Sequence, residues 1–210
     1  MYQEQENIFY YITCMNENYP HPAMPSGVAQ GILQGMYLLQ IGGRGKVRVT
    51  LFGSGTILRE VQAAAELLEK NYGVPADVYS VTSFSELRKN ALAIERHKLL
   101  HPNEAPQQNY IQQALADREG PFIAATDYMK IVADQIRQWI PGRYAVLGTD
   151  GYGRSDSRAE LRRFFEVDRH YVAVAALKAL ADDGKIDKQT VTDAMQAFGI
   201  DPEKPNPLSV

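Results

Sequence analysis

Between residues 46 and 150, short apolar runs alternate with longer segments whose apolar residues recur at helical spacing. This order is typical of a parallel α/β protein. Four short runs rich in β-branched and aromatic residues predict strands. They are "KVRVTLFGSG", "ADVYSVTS", "GPFIAATD" and "RYAVLGTDG". After the first run, "TILREVQAAAELLEKNYG" has apolar residues at helical spacing and predicts an amphipathic helix that ends at Gly73. Strands that alternate with helices of this length predict parallel βαβ units with helices on both faces of the sheet.

Further segments of the chain also have helical periodicity. "FSELRKNALAIERHKLLH" predicts a helix that ends before Pro102, and "QQNYIQQALAD" predicts a short one. "YMKIVADQIRQWI", residues 128–140, predicts a long helix that ends before Pro141. "VAQGILQGMYLLQ", residues 28–40, predicts a short helix weakened by two glycines. The last three predicted helices are "DSRAELRRFF", "VDRHYVAVAALKALADDG" and "DKQTVTDAMQAFG".

The first 45 residues have a different pattern. "NIFYYIT", residues 7–13, predicts a strand of buried character, and the proline-rich "NENYPHPAMPSG" that follows excludes regular structure. We therefore expect a fragment of a longer protein, or a chain whose first strand pairs elsewhere, with the main domain over residues 46–210. Cys14 is expected to be a small buried hydrophobic residue, because nothing nearby in the sequence would activate it as a nucleophile.

The composition excludes several classes of protein. The 210 residues are 45% hydrophobic and 22% charged with a net charge of −3, values near the averages for globular proteins. Both charge signs are mixed along the chain, so a basic nucleic-acid surface is not expected. No apolar run approaches the roughly 20 residues of a membrane span. A single cysteine and the lack of a signal-peptide pattern predict a cytoplasmic protein without membrane or nucleic-acid partners.

Two short motifs have both a functional and a structural interpretation. "FGSG", residues 52–55, joins a strand to a helix, where an anion is favoured, but Leu58 replaces the third glycine of the dinucleotide motif. A tight turn needs glycine without any ligand. His97 and His101 have the spacing of paired zinc ligands, but Lys98 replaces the glutamate of H-E-x-x-H. We therefore predict a structural turn in the first case and surface histidines without a metal in the second.

The segment "VLGTDGYGRSDSR", residues 146–158, is unusually polar for a connector. Its acidic and hydroxyl residues do not follow the order of a calcium loop. Ser155 or Asp156 is predicted to cap the helix that begins near Ser157. That arrangement would leave Arg154 and Arg158 free for a partner, a neighbouring domain or a substrate anion.

Five segments in order resemble the carboxy-terminal region of the homodimeric, thiamin-dependent pyruvate dehydrogenase components of bacterial complexes. They are "DVYSVTSFSEL" (77–87), "ATDYMK" (125–130), "VLGTDGYGRSDSR" (146–158), "FFEVDRHYVAVAAL" (164–177) and "GKID" (184–187). The resemblance implies a transketolase C-terminal fold, a three-layer α/β/α sandwich with a mixed, mostly parallel five-stranded sheet. It assigns residues 1–45 to the end of a preceding pyrimidine-binding domain plus a linker, and residues 46–210 to the transketolase-like C-terminal domain.

The resemblance also implies a function for the full-length protein. Members of this family use thiamin diphosphate and magnesium to decarboxylate pyruvate, and transfer the acetyl group to a lipoyl acetyltransferase partner. The first two domains hold the cofactor and the activating glutamate, so no catalytic, cofactor-binding or metal residue is expected on this chain. "TDG" (149–151) resembles the start of a thiamin diphosphate motif, but the closing asparagine pair is missing, since residues 179–184 read "ALADDG".

The chain is therefore expected to be inactive alone and to contact the N-terminal and middle domains and the second subunit of a homodimer. Asp150, Arg154, Ser155 and Asp156 are the candidate contact loop near the active-site approach, with a plain connector as the alternative. Two other functions stay open. One is a free-standing regulatory module that binds an anion or nucleotide, and the other is the same domain of a different 2-oxo acid dehydrogenase or a transketolase.

Overall fold

The centre of the protein is a five-stranded sheet. The computed structural model describes residues 2–9, 18–20, 23–118 and 120–210. The strands are β1 (Met36–Gln40), β2 (Val49–Gly53), β3 (Ala76–Val81), β4 (Phe122–Ala125) and β5 (Tyr144–Leu147). Their order is β1-β3-β2-β4-β5, with β1 antiparallel to β3 and the other pairs parallel. The three inner strands are buried along their whole length, which agrees with the apolar residues on both faces of each strand.

Helices cover both faces of this sheet. They are α1 (Ala29–Gln34), α2 (Leu58–Tyr72), α3 (Phe84–Leu100), α4 (Tyr110–Ala114), α5 (Lys130–Asp134), α6 (Arg158–Phe164), α7 (Arg169–Asp182) and α8 (Lys188–Ala197). Leu51 lies in the core formed with α2, α7 and α8, and its neighbour Phe52 lies in the core formed with α3, α4 and α5. Successive strand residues point to opposite faces, so β2 contributes to both cores. The predicted three-layer fold with a mixed, mostly parallel five-stranded sheet is confirmed.

The predicted helix over residues 28–40 is wrong in its second half. The helix α1 ends at Gly35, which has a left-handed φ of 107° and donates its N–H to the carbonyl oxygen of Gly31. A Cβ at position 35 would lie 2.5 Å from the carbonyl oxygen of Ser83, so only glycine fits there. The next residues form β1, which pairs with β3. The sheet therefore includes residues 36–40 of the segment 1–45.

The predicted long helix over residues 128–140 is also wrong. The helix α5 has only five residues, and a separate 3-10 turn covers Arg137–Trp139. The indole Nε1 of Trp139 donates to Glu95 Oε1 of α3 at 2.7 Å, and Arg137 Nη1 donates to the carbonyl oxygen of Tyr144 at 2.7 Å. These long-range hydrogen bonds favour the tighter turn over a continuous helix.

The amino-terminal prediction is only partly covered by the structure. Residues 7–9 of the predicted strand are described and do not form a strand. Residues 10–13 and Cys14 lie outside the described residues. Within the described ranges, none of the helices combines the length and the apolar character needed to cross a bilayer.

Candidate functional site

The loops after β2, β4 and β5 meet at the carboxyl edge of the sheet, because these three strands are parallel. Parallel α/β proteins generally place their functional residues at this edge. A groove of about 400 Å³ lies there. Its polar and charged lining residues are Thr56, Asp127, Thr149, Arg154, Arg158 and Arg162.

Side-chain hydrogen bonds join the loops after β2 and β4 at this edge. Ser54 Oγ donates to Thr126 Oγ1 at 2.9 Å, and the same Thr126 oxygen accepts the Tyr128 N–H at 3.2 Å. Thr56 Oγ1 donates to Asp127 Oδ2 at 2.7 Å. The polar groups of both loops are thus used to hold the loops together.

These contacts account for the residues of "FGSG" without a bound ligand. A Cβ on Gly53 would lie 2.7 Å from Leu58 Cα, so glycine is required for α2 to pack closely against the end of β2. The Asp127 carboxylate hydrogen-bonds to Thr56, in the turn that precedes α2. A negative charge at this position repels a second anion and already benefits from the helix dipole. The structural interpretation of the motif is therefore favoured.

Asp150, the first residue of the candidate contact loop, ties the loop after β5 to α5. Its Oδ1 accepts the Lys130 N–H at 3.0 Å. Close by, the Thr149 N–H donates to the carbonyl oxygen of Tyr128 at 3.0 Å. Both bonds place the 148–151 segment against the start of α5. The carboxylate of Asp150 thus has a structural role at the edge of the groove.

The other three candidate residues lie on an exposed stretch. Ser155, Arg154 and Asp156 line a second groove of about 470 Å³ beside the first. The Arg154 guanidinium carbon lies 4.5 Å from the ring centroid of Phe164, a cation–π contact. Arg158 also has an interaction within the chain. The prediction that Arg154 and Arg158 are free is therefore wrong.

The cap of α6 differs from the predicted one. Ser157, and not Ser155 or Asp156, is the N-cap residue, and its Oγ accepts the Glu160 N–H at 3.3 Å. Asp156 Oδ1 instead accepts the N–H of Ser157 at 2.6 Å. The polar composition of the segment is thus explained in part by local hydrogen bonds that end the loop.

The carboxyl edge also has exposed apolar side chains that the sequence analysis did not identify. Tyr128, Met129 and Ile131, from the loop after β4 and the start of α5, are 58%, 58% and 61% exposed. Tyr152, on the adjacent loop after β5, is 81% exposed. We call these four residues the edge patch. Grouped exposed apolar residues are typical of surfaces that bind another protein or domain. Tyr128, Met129 and Ile131 belong to the segment that was wrongly predicted as one long helix.

Glu60, in the first turn of α2, is buried between α6 and α7. It accepts the backbone N–H of Arg169 at 3.1 Å and its Nε at 2.9 Å, and Arg162 Nη1 at 3.3 Å. Burial alone raises the pKa of Glu60, but the hydrogen bonds and charge of Arg169, with the charge of Arg162, outweigh it. The pKa is therefore held below its usual value. This carboxylate joins three helices next to the groove.

Asp77 of β3 is the second buried carboxylate. Its Oδ1 accepts Arg48 Nη2 at 2.7 Å and the Gly42 N–H at 3.0 Å, and its Oδ2 accepts Arg118 Nη1 at 2.8 Å. Arg118 Nε also donates to the Tyr79 hydroxyl at 3.1 Å. An aspartate inside an otherwise apolar strand was the available sequence signal for this cluster. Asp77 connects β3 to the segments before β2 and after α4.

A residue of the amino-terminal segment also reaches the carboxyl edge. The Arg59 guanidinium carbon lies 4.7 Å from the ring centroid of Tyr19, and Arg162 Nη2 donates to the Tyr19 hydroxyl at 3.3 Å. Arg59 belongs to the first turn of α2 and Arg162 to α6. The polypeptide that precedes β1 therefore passes next to the groove.

Residues 35–168 match the transketolase-like TK C-terminal domain family. The chain is 59% identical over 210 residues to the pyruvate dehydrogenase E1 component of Pseudomonas aeruginosa, covering 99% of this chain and 24% of that relative. It is 54% identical over 206 residues to the component of that name from Escherichia coli K12, covering 98% of this chain and 23% of the relative.

Among solved structures, a transketolase from Campylobacter jejuni aligns with a TM-score of 0.47 at 18% identity. That alignment covers 76% of this chain and 20% of the transketolase. The chain spans about a quarter of the length of the curated relatives it matches. The matching part of these relatives is a carboxy-terminal region.

Proposed function

Because the chain belongs to the transketolase-like C-terminal domain family, we propose that it acts as the C-terminal domain of a pyruvate dehydrogenase E1 component. The observation that carries this proposal is the 59% identity over 99% of the chain to a relative of that name. The whole protein would decarboxylate pyruvate with thiamin diphosphate and magnesium and transfer the acetyl group to a lipoyl acetyltransferase. It would do so as a cytoplasmic homodimer.

Within that protein, this chain contributes no catalytic or cofactor-binding group. A magnesium diphosphate requires carboxylate or amide oxygens that are open to the ion. At the carboxyl edge, Asp127 accepts from Thr56 and Asp150 accepts from the N–H of Lys130. These hydrogen bonds support the proposal that the described residues of this edge do not bind the cofactor. The first two domains of the full-length protein would bind it.

The proposed contribution of the chain is a contact surface at the carboxyl edge. The edge patch presents four apolar side chains to solvent beside the loop of Asp150, Arg154, Ser155 and Asp156. Tyr19 brings the preceding polypeptide to the same edge. Residues 1–45 would contain the end of the preceding domain and the linker, with β1 as the point where the chain enters this sheet. The patch would then be covered by the preceding domains.

Removing apolar side chains from the edge patch tests this contact. We expect the double variant Met129→Ser/Ile131→Ser to leave the thermal unfolding of the isolated chain nearly unchanged, because both side chains are exposed. In the full-length protein we expect docking of the domain to weaken at least about 10-fold, since full burial of even one such side chain contributes about 1.5–3 kcal/mol. Limited proteolysis and pyruvate decarboxylation would report the loss.

The matched control is Leu99→Ser, at the last turn of α3, where the side chain is 78% exposed. The helix α3 runs back from the carboxyl end of β3, so Leu99 lies near the opposite edge of the sheet. If the double variant and this control behave alike in the full-length protein, the edge patch is not an interdomain surface.

Calorimetric titration of the isolated chain with thiamin diphosphate and magnesium tests the absence of a cofactor site. We expect no binding heat from the chain and saturable binding to the full-length protein. Specific binding to the isolated chain would contradict the assignment, and Asp150→Asn would then be the first variant to titrate.

The alternative of an anion- or nucleotide-binding regulatory module receives less support. Its two predicted binding groups were "FGSG" and the arginines of the 146–158 loop. Asp127 places a carboxylate at the first, and Arg154 contacts Phe164 within the chain. The other alternative, a domain of a different 2-oxo acid dehydrogenase or a transketolase, is disfavoured by the names of the relatives at 50% identity and above.

A further inference from the structure

We propose that His97, His101 and Glu104 form a binding site for a zinc-like divalent transition-metal ion at the end of α3. One ligand atom from each of these side chains lies within 4.8 Å of the other two. Within the described ranges, this is the one group of three or more histidine, cysteine or acidic residues with such spacing. The proposal is independent of the function proposed for the domain.

The local fold builds this group from a short stretch of sequence. The four-residue spacing on α3 puts both imidazoles on one face of the helix, where their ring centroids are 4.2 Å apart. The helix ends before Pro102, and the Glu104 N–H then donates to the carbonyl oxygen of His101 at 3.1 Å. This turn brings Glu104 Oε2 to 2.9 Å from His97 Nε2. The third ligand, which the sequence analysis did not find, thus comes from the turn after the helix.

The hydrogen bonds leave His101 ready to bind a metal. Its Nδ1 lies 3.0 Å from the carbonyl oxygen of His97, which can only accept, so Nδ1 carries the ring proton. The lone pair is then on Nε2. Metal-binding histidines are commonly oriented by such a bond from the second ring nitrogen to a backbone carbonyl. The ring of His101 is therefore held in the tautomer that leaves Nε2 free to bind a metal ion.

The donor set indicates which class of ion fits. Two imidazole nitrogens and one carboxylate oxygen are ligands of zinc, and three protein ligands leave a fourth position for water. Calcium and magnesium prefer sites made of oxygen alone. Tetrahedral zinc ligands lie roughly 3.3 Å apart. The three ligand atoms lie within 4.8 Å of one another, and His97 Nε2 and Glu104 Oε2 are 2.9 Å apart, so the side chains must shift into this spacing and exchange that hydrogen bond for bonds to the ion. All three lie at the surface, His97 with 35% and Glu104 with 55% of the side chain exposed, so rotations about their terminal bonds can supply this movement.

Calorimetric titration of the chelator-treated chain with zinc chloride tests the proposal. We expect saturable binding of a single zinc ion and, because the ion binds only the folded state, a higher midpoint of thermal unfolding. His101→Gln and Glu104→Gln should each weaken zinc binding at least about 10-fold, because loss of a residue that only orients a metal ligand already costs about that much. Magnesium chloride should produce no binding heat.

The matched control is His21→Gln, which removes a histidine outside the described residues and should leave zinc affinity unchanged. Circular dichroism checks that each variant is folded, and two separate ligand variants guard against a local loss of structure in one. No saturable zinc binding, or binding that both His101→Gln and Glu104→Gln leave intact, would overturn the proposal. Binding that is lost only in His21→Gln would do the same.

Discussion

Replacing Asp77 with asparagine is expected to lower the free energy of unfolding by about 3 kcal/mol. The carboxylate is 2% exposed and accepts from two arginines, so the substitution leaves two guanidinium groups without their counter-charge. The side chains of Arg48 and Arg118 are 28% and 24% exposed, so both can still be hydrated. The expected loss of stability is therefore at the lower end of the range for breaking a buried ion pair. Urea unfolding followed by circular dichroism measures the change.

Asp117→Asn is the matched control for this experiment. It makes the same chemical change one residue before Arg118, on an exposed side chain. We expect its effect to stay within about 0.5 kcal/mol, as for most surface substitutions. If Asp77→Asn unfolds at the same urea concentration as this control, the buried ion cluster does not contribute to stability. A loss that only Asp77→Asn shows would locate the effect in the contacts between β3 and the segments on either side of it.

Glu60→Gln is expected to have the second large effect and to lower the free energy of unfolding by about 2–3 kcal/mol near neutral pH. The side chain of Glu60 is 8% exposed and accepts from both Arg162 and Arg169. Its pKa in the folded protein is lowered from the ordinary value of 4.5. The stabilisation is therefore fully present above that value and is lost as the pH falls through the folded pKa. The difference between the wild type and Glu60→Gln should shrink in acid.

Urea unfolding at a series of pH values from about 7 down to about 3 measures this dependence. Glu66→Gln, an exposed glutamate on the same helix, is the control and should change stability little at any pH. If the difference in free energy of unfolding between the wild type and Glu60→Gln stays constant down to about pH 3, the lowered pKa is contradicted. Such a result would indicate that Glu60 stabilises the fold through the geometry of its hydrogen bonds and not through its negative charge.

The sequence was sufficient for elements whose pattern has one interpretation. The helix α2 has an apolar stripe along its whole length, followed by a glycine, so its end at Gly73 was predicted from the sequence. In the structure Gly73 has the left-handed φ of 62° that such a helix end requires. The strands β2, β3 and β4 have apolar residues on both faces, which favours buried parallel strands. The alternation of strands and helices followed from these elements, and the resemblance to a known family implied a fifth strand without locating it in the sequence.

The sequence was not sufficient where one pattern suits two structures. "MYLLQ" fits a helix or a strand, and its pairing with β3 decided for β1. The segment 128–140 has helical periodicity, but the contacts of Trp139 with Glu95 and of Arg137 with Tyr144 shorten the helix. Sequence periodicity shows which positions are apolar, but it does not show which residues of other elements they contact.

The sequence by itself determined the fold class, the buried strands, the helices α2, α3 and α7, and the family. The tertiary structure alone decided which charged residues meet. Glu60 and Arg169 are 109 positions apart in the chain, and Asp77 and Arg118 are 41 apart. Local spacing predicts neighbours on one element, because helix and strand periods are fixed by the backbone. Pairs between elements depend on how the layers pack, and for this reason the buried carboxylates and the edge patch became visible only in the folded chain.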